Sequence, residues 1–186
     1  GHFLIKLGAK IEGLGTERIV INPIINENNN VEFDIIPDRI EAGTFMIAVA
    51  AIGGDINLRD VDPSHLDSVI SHLNKLKISI DMGDNNIFIS STGNYKSINL
   101  ETHEYPGFPT DLQAQMMALL CLSRGNSIIT EKIYPERFMH VPELSRMGAK
   151  LVRQGATVIV QGVDHLVGAP VMASDLRASA SLVLAG

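Results

Sequence analysis

Tryptophan is absent from the 186 residues, cysteine occurs once, and aromatic residues make up only 5%. Aliphatic layers, not aromatic clusters, must therefore fill the core. The lone cysteine, Cys121, excludes an intrachain disulfide and a cysteine-built metal site, and fits a reducing compartment, the cytoplasm. It stands in the apolar run MMALLCL and reads as a buried, inert thiol, not a nucleophile. No histidine pair has metal-ligand spacing, so neither a metal nor another cofactor is expected. Basic runs are missing and the net charge is −6, which argues against general nucleic-acid binding. A phosphorylated small molecule stays open, because single arginines suffice for it. No uncharged apolar stretch approaches the ~18 residues of a membrane span, and no signal-peptide pattern opens the chain.

What is present is aliphatic and repetitive. Hydrophobic residues are 45% and charged residues 19%, enough for a sizeable core, and glycine occurs 16 times. One local event recurs. Asp38 stands in IIPDRIEAGTFMIAVAAIGG, Asp111 in FPTDLQAQMMALLCLSRG and Asp175 in VMASDLRASASLVLAG. In each, an apolar or proline-containing entry leads to an aspartate, then a small, apolar helix, then glycine. A second echo links LGAKIEGLGTERIVI, from residue 7, with MGAKLVRQGATVIV, from residue 147. Both read as helix end, Gly-Ala-Lys, strand, glycine turn and strand.

In chain order, residues 3–10 read as a helix tail, and 11–12 with 17–22 as two strands. The Asn-rich stretch 22–30 reads as a linker, with a domain boundary near Val31. Repeat one, 33–90, is expected as strand 33–36, helix 40–52, strand 56–61, helix 64–76 and a hairpin of 78–82 with 87–90. Repeat two, 97–161, is expected as strand 97–102, the Asp111 helix, strand 127–133, helix 138–147 and a hairpin of 150–153 with 157–161. A partial repeat three, 168–186, supplies a strand at 169–173 and a helix from 175. Each full repeat is βαβαββ, so the fold class is α/β (α+β). The polypeptide begins and ends inside a repeat and reads as part of a longer protein.

Thr110 precedes Gln113 by three residues, the spacing of a capping box. Asp111 then falls in the first helical turn, at the positive end of the helix dipole. That placement suits an ordinary helix start and also suits a carboxylate mounted for chemistry. The same two readings apply to Asp175. His140, within RFMHVPE, reads as a core or capping histidine.

FPTDLQAQ at 108–115, ERFMHVPELSRMGAKL at 136–151 and ASDLRASASLVLAG at 173–186 closely resemble the UDP-N-acetylglucosamine 1-carboxyvinyltransferase family of enolpyruvyl transferases. The segment 35–54 fits as well, and the resemblance covers nearly the whole chain. It implies an inside-out α/β barrel of two lobes, each of three βαβαββ units. Residues 1–31 would be the tail of one lobe, and 32–186 most of the other. It implies transfer of enolpyruvyl from phosphoenolpyruvate to the 3-hydroxyl of UDP-N-acetylglucosamine, the first committed step of peptidoglycan synthesis. Asp111 matches the family's candidate base and sugar ligand, and Ile133 a backbone carbonyl contact to the sugar, with Thr110 beside them. Arg137 and Arg177 match arginines of the site, Arg39 is a weaker candidate, and Asp175 reads equally as a helix cap or as a site residue beside Asp111. The family's loop cysteine and Lys-Asn pair fall outside this chain, and Cys121 does not replace that cysteine. The resemblance thus implies a partner, the remaining N-terminal lobe, without which the chain is expected to be inactive. Two other readings remain: the related shikimate-pathway transferase, and a non-catalytic repeat domain that binds a partner.

Overall fold

A computed structural model describes residues 1–23 and 30–186, so most of the expected linker at 22–30 lies outside the described residues. The chain divides into two compact units, Gly1–Ile36 and Pro37–Gly186. The division falls C-terminal to the boundary expected near Val31. Phe33 explains this: its ring meets Phe3 edge-on at 5.4 Å between centroids, with the Lys6 ammonium 5.5 Å away, and so belongs to the first unit.

The first unit holds a short helix α1 (His2–Lys6) and an antiparallel pair, β1 (Lys10–Glu12) with β2 (Val20–Asn22). The strand expected at 33–36 does not form. Ile35 and Ile36 are exposed, and no strand among the described residues pairs with them.

The second unit opens with α2 (Arg39–Ile52). Asp38 caps it, its Oδ1 accepting from the amides of Ile40 (2.8 Å) and Glu41 (3.2 Å), and Gly53 ends it at φ +87°. There follow β3 (Gly54–Arg59), an Asp62-capped 3-10 turn Pro63–Leu66, α3 (Asp67–Lys75), β4 (Ser79–Met82) and β5 (Asn86–Ser91). Next come β6 (Leu100–Glu101), a 3-10 turn Thr110–Leu112, α4 (Gln113–Leu120), β7 (Asn126–Thr130), α5 (His140–Arg146), β8 (Lys150–Gln154), β9 (Thr157–Gln161) and α6 (Leu176–Ala185).

Strand order reveals the repeat. The first sheet runs β3-β5-β4, all antiparallel. The second runs β6-β7-β9-β8, in which β7, β9 and β8 repeat that order and β6 joins β7 in parallel. In both, a strand leads to a helix and then to a hairpin whose second strand takes the centre. The first strand of each expected βαβαββ unit, which leads into the apolar helix, is the weak member. The strand expected at 97–102 shrinks to two residues, and the one expected at 169–173 is not formed.

The core lies where the apolar helices meet. Every residue of α4 is buried, its two glutamines included. α4 packs against both α2 and α6. Gly43 permits the approach of α2, because a Cβ there would overlap Leu112 Cδ1.

Candidate functional site

The aspartates at the starts of the three apolar helices do not behave alike. Asp175 caps α6 as Asp38 caps α2, its Oδ1 accepting from the amides of Arg177 (2.8 Å) and Ala178 (2.9 Å). Asp111 caps nothing. The chain enters α4 through the 3-10 turn, with Pro109 in the cap position and no side-chain cap. The Asp111 carboxylate turns sideways, with Oδ1 2.8 Å from Arg137 Nη1 and Oδ2 3.3 Å from Arg177 Nη2. Burial raises the Asp111 pKa, but the bonds and charges of Arg137 and Arg177 outweigh it and leave the carboxyl below its ordinary value.

The capping box expected of Thr110 and Gln113 is also not made. The Thr110 hydroxyl donates to Glu131 Oε2 (2.9 Å) and accepts from Arg137 Nη1 (3.1 Å). A bond to a carboxylate is stronger than one to a backbone amide, which accounts for the choice. Both polar atoms of the Gln113 side chain are buried without a partner.

Glu131 escaped the sequence reading. It directly follows the half-buried strand β7, in EKIYPER, and there resembles any solvated loop charge. In the fold it is 1% exposed. Its Oε1 accepts from the Thr102 hydroxyl (2.7 Å) and the amides of Ile133 (2.9 Å) and Tyr134 (3.0 Å). With Thr110 on Oε2, four donors satisfy one carboxylate, as burial demands. Nothing in the local sequence separates Glu131 from Glu136 of the same loop, which is exposed and pairs with Arg153.

Thr110, Asp111 and the two arginines line one cleft of about 820 Å³. Its walls are the Thr110–Asp111 turn, Ile133, Tyr134 and Arg137 of the β7–α5 loop, and Asp175, Leu176 and Arg177 at the start of α6. Arg137 also lies over the Tyr134 ring, 5.4 Å from its centroid. Six of the seven residues proposed from sequence therefore meet here. Arg39 does not. Its guanidinium lies 5.5 Å from the Tyr105 ring and lines a separate small hollow with Pro106 and Ser64.

His140 is buried behind the cleft with Nε2 unpaired. Burial lowers its pKa to about 4 despite Asp175 nearby. Cys121 is fully buried at the end of α4, and burial pushes its thiol up to about 12. Among the described residues no cluster of three or more His, Cys, Asp or Glu side chains is arranged to hold a metal. No described helix is long and apolar enough to cross a membrane.

Chemically, the cleft pairs a carboxylate with two guanidiniums that are each only partly engaged. Such a wall can hold a doubly anionic ligand on the arginines and take a proton from a hydroxyl on Asp111.

Comparison with known proteins gives a consistent result. A family model described as EPSP synthase (3-phosphoshikimate 1-carboxyvinyltransferase) matches residues 1–186. A UDP-N-acetylglucosamine 1-carboxyvinyltransferase of Geotalea daltonii is 50% identical over 185 residues, which are 100% of this chain and 44% of the relative. One of Xylella fastidiosa is 51% identical over 184 residues, 98% of this chain and 43% of the relative. The chain thus spans less than half the length of the curated relatives it matches. Among solved structures, the enolpyruvyl transferase NikO from Streptomyces tendae superposes with a TM-score of 0.86 at 25% identity, covering 99% of this chain and 44% of that one. An EPSP synthase from Acinetobacter baumannii, 14% identical, shares the fold with a TM-score of 0.63 over 83% of this chain and 38% of that one.

Proposed function

This chain belongs to the EPSP synthase (3-phosphoshikimate 1-carboxyvinyltransferase) family, and from that premise we propose that it forms one wall of a site transferring enolpyruvyl from phosphoenolpyruvate to the 3-hydroxyl of UDP-N-acetylglucosamine. The amino-sugar acceptor follows the names of the relatives that are about half identical to it. The process served would be cytoplasmic peptidoglycan synthesis. The observation that carries the reading is Asp111, withdrawn from capping and clasped between Arg137 and Arg177 beside Ile133 in one cleft.

The reaction is addition followed by elimination. The sugar hydroxyl attacks C2 of phosphoenolpyruvate as C3 gains a proton; the C3 proton then leaves with phosphate. A hydroxyl is a weak nucleophile at neutral pH and needs a placed base. Asp111 is that base. In the free chain its two guanidiniums hold the carboxyl low and make it a weak acceptor of protons. An anionic cosubstrate that takes the guanidiniums relieves this, so proton uptake is favoured once the second substrate is bound. Ile133 and Thr110 hold the sugar, and Asp175 borders it. The chain alone lacks the opposing lobe of its relatives, so it is proposed to bind substrate weakly and not to turn over.

Calorimetric titration tests the reading. UDP-N-acetylglucosamine should bind the chain combined with the N-terminal lobe of a relative, and Arg137→Ala should weaken it or its cosubstrate. Binding of shikimate 3-phosphate in its place would assign the other acceptor. Binding of neither would refute the transferase site.

A further inference from the structure

Glu131 has no place in the chemistry described above, yet it is buried and accepts from four donors, three of them on residues that line the cleft. Its four donors come from three separate segments. Thr102 follows β6, Thr110 opens the turn that carries Asp111, and Ile133 and Tyr134 begin the loop that carries Arg137. The Lys132 amide adds a tie by donating to Thr102 Oγ1 (2.9 Å). We propose that Glu131 is a positioning residue that holds Arg137 against Asp111 by fixing the direction of the Thr110 hydroxyl and the course of the Ile133–Tyr134 backbone.

The direction of each hydrogen bond makes this specific. An ionised carboxylate only accepts, so the Thr110 proton must point at Glu131. The Thr110 oxygen then presents a lone pair to Arg137 Nη1, the same nitrogen that meets Asp111 Oδ1. Arg137 is thereby fixed by Thr110, Asp111 and the Tyr134 ring. A glutamine at position 131 cannot reproduce this. With its oxygen toward Thr102, Ile133 and Tyr134, its amide nitrogen donates to Thr110, whose own proton must turn toward the cleft. In the opposite orientation, two amide hydrogens face two backbone N–H groups. The first orientation takes the acceptor from the Thr110 proton and lets the hydroxyl turn away from Arg137; the second sets donor against donor and displaces the Ile133–Tyr134 backbone that leads to Arg137.

The consequence for catalysis rests on the proposed function, but the geometric claim does not. Its test therefore reads the ion pair itself. The Asp111 carboxyl is titrated by carbon NMR in the 186-residue chain and in Glu131→Gln, Thr110→Val and Glu136→Gln. Glu136 is exposed and pairs with Arg153 instead (2.7 Å), so it serves as the control. The Asp111 midpoint should rise in Glu131→Gln and in Thr110→Val, on the order of one unit, the scale of one lost cationic partner. It should not move in Glu136→Gln. Thr110→Val cuts only the Thr110 link and keeps the test decisive if Glu131→Gln fails to fold. A midpoint unchanged in a folded Glu131→Gln or Thr110→Val chain, or shifted equally in the control, would overturn the role. A shifted midpoint, with no nucleotide sugar bound even once the chain is combined with the N-terminal lobe of a relative, would support the positioning role and refute the transferase reading alone.

Discussion

At the scale of single residues, three aspartates in one kind of sequence setting do two different jobs. Asp38 and Asp175 each accept from two amides of their own helix, whereas Asp111 spends its carboxylate on Arg137 and Arg177. Alanine substitution should separate the jobs. Asp38→Ala should cost about 0.5–2 kcal/mol as a lost cap. Asp111→Ala should cost less than about 1 kcal/mol, because its ion pairs are partly exposed and screened. Melting curves of the two variants check this; equal losses would return Asp111 to a capping role. His140 makes a second expectation. Its ordinary value is 6.5 and its folded value about 4, so the folded chain binds fewer protons than the unfolded one between those limits. The His140 contribution should be fully present above pH 6.5, be lost as pH drops toward 4, and change no further below, a loss on the order of 3 kcal/mol. Arg137 and Asp175 face this ring, and His140→Gln should flatten that pH window in denaturant titrations while leaving the steeper carboxylate loss at lower pH.

Sequence reached the individual residues better than their connections. Asp111, Arg137 and Arg177 lay in motifs, and their convergence required only that the expected helix starts be right. The capping box read from the spacing of Thr110 and Gln113 does not form, because the Thr110 hydroxyl donates to Glu131, twenty-one residues on, and accepts from Arg137. Glu131 was invisible because Thr102 and Thr110, which complete its burial, come from segments whose approach is set by tertiary packing.

At the scale of elements, helices were legible and leading strands were not. Apolar runs closed by Gly53 or led by Asp175 mark α2 and α6 on local grounds. A leading strand needs a neighbour to bond to, and only β6 finds one, for two residues. Helix packing gives the expectation at this scale. Gly43→Ala would set its Cβ against Leu112 Cδ1, so that this fully buried side chain must shift to admit it. The variant should lose about 1–3 kcal/mol, seen as a melting point lowered by about 2–4 °C per kcal/mol. An unchanged or raised melting point would show that α2 and α4 do not approach through this glycine.

At the scale of the whole molecule, two repeats of one strand order carry three apolar helices, and the cleft opens where two of those helices start. The proposed chemistry needs that wall and an opposing one that excludes water. The chain spans 44% of its Geotalea daltonii relative, so turnover is an expectation for the assembled protein. The most direct measurement is phosphate release from phosphoenolpyruvate with UDP-N-acetylglucosamine, comparing Asp111 with Asp111→Asn in this chain joined to the missing lobe of a relative. The asparagine keeps the size and hydrogen-bonding oxygen of the side chain while removing the base. The account expects turnover to fall on the order of 10²–10⁴-fold with little change in melting temperature. Full turnover in Asp111→Asn would contradict it.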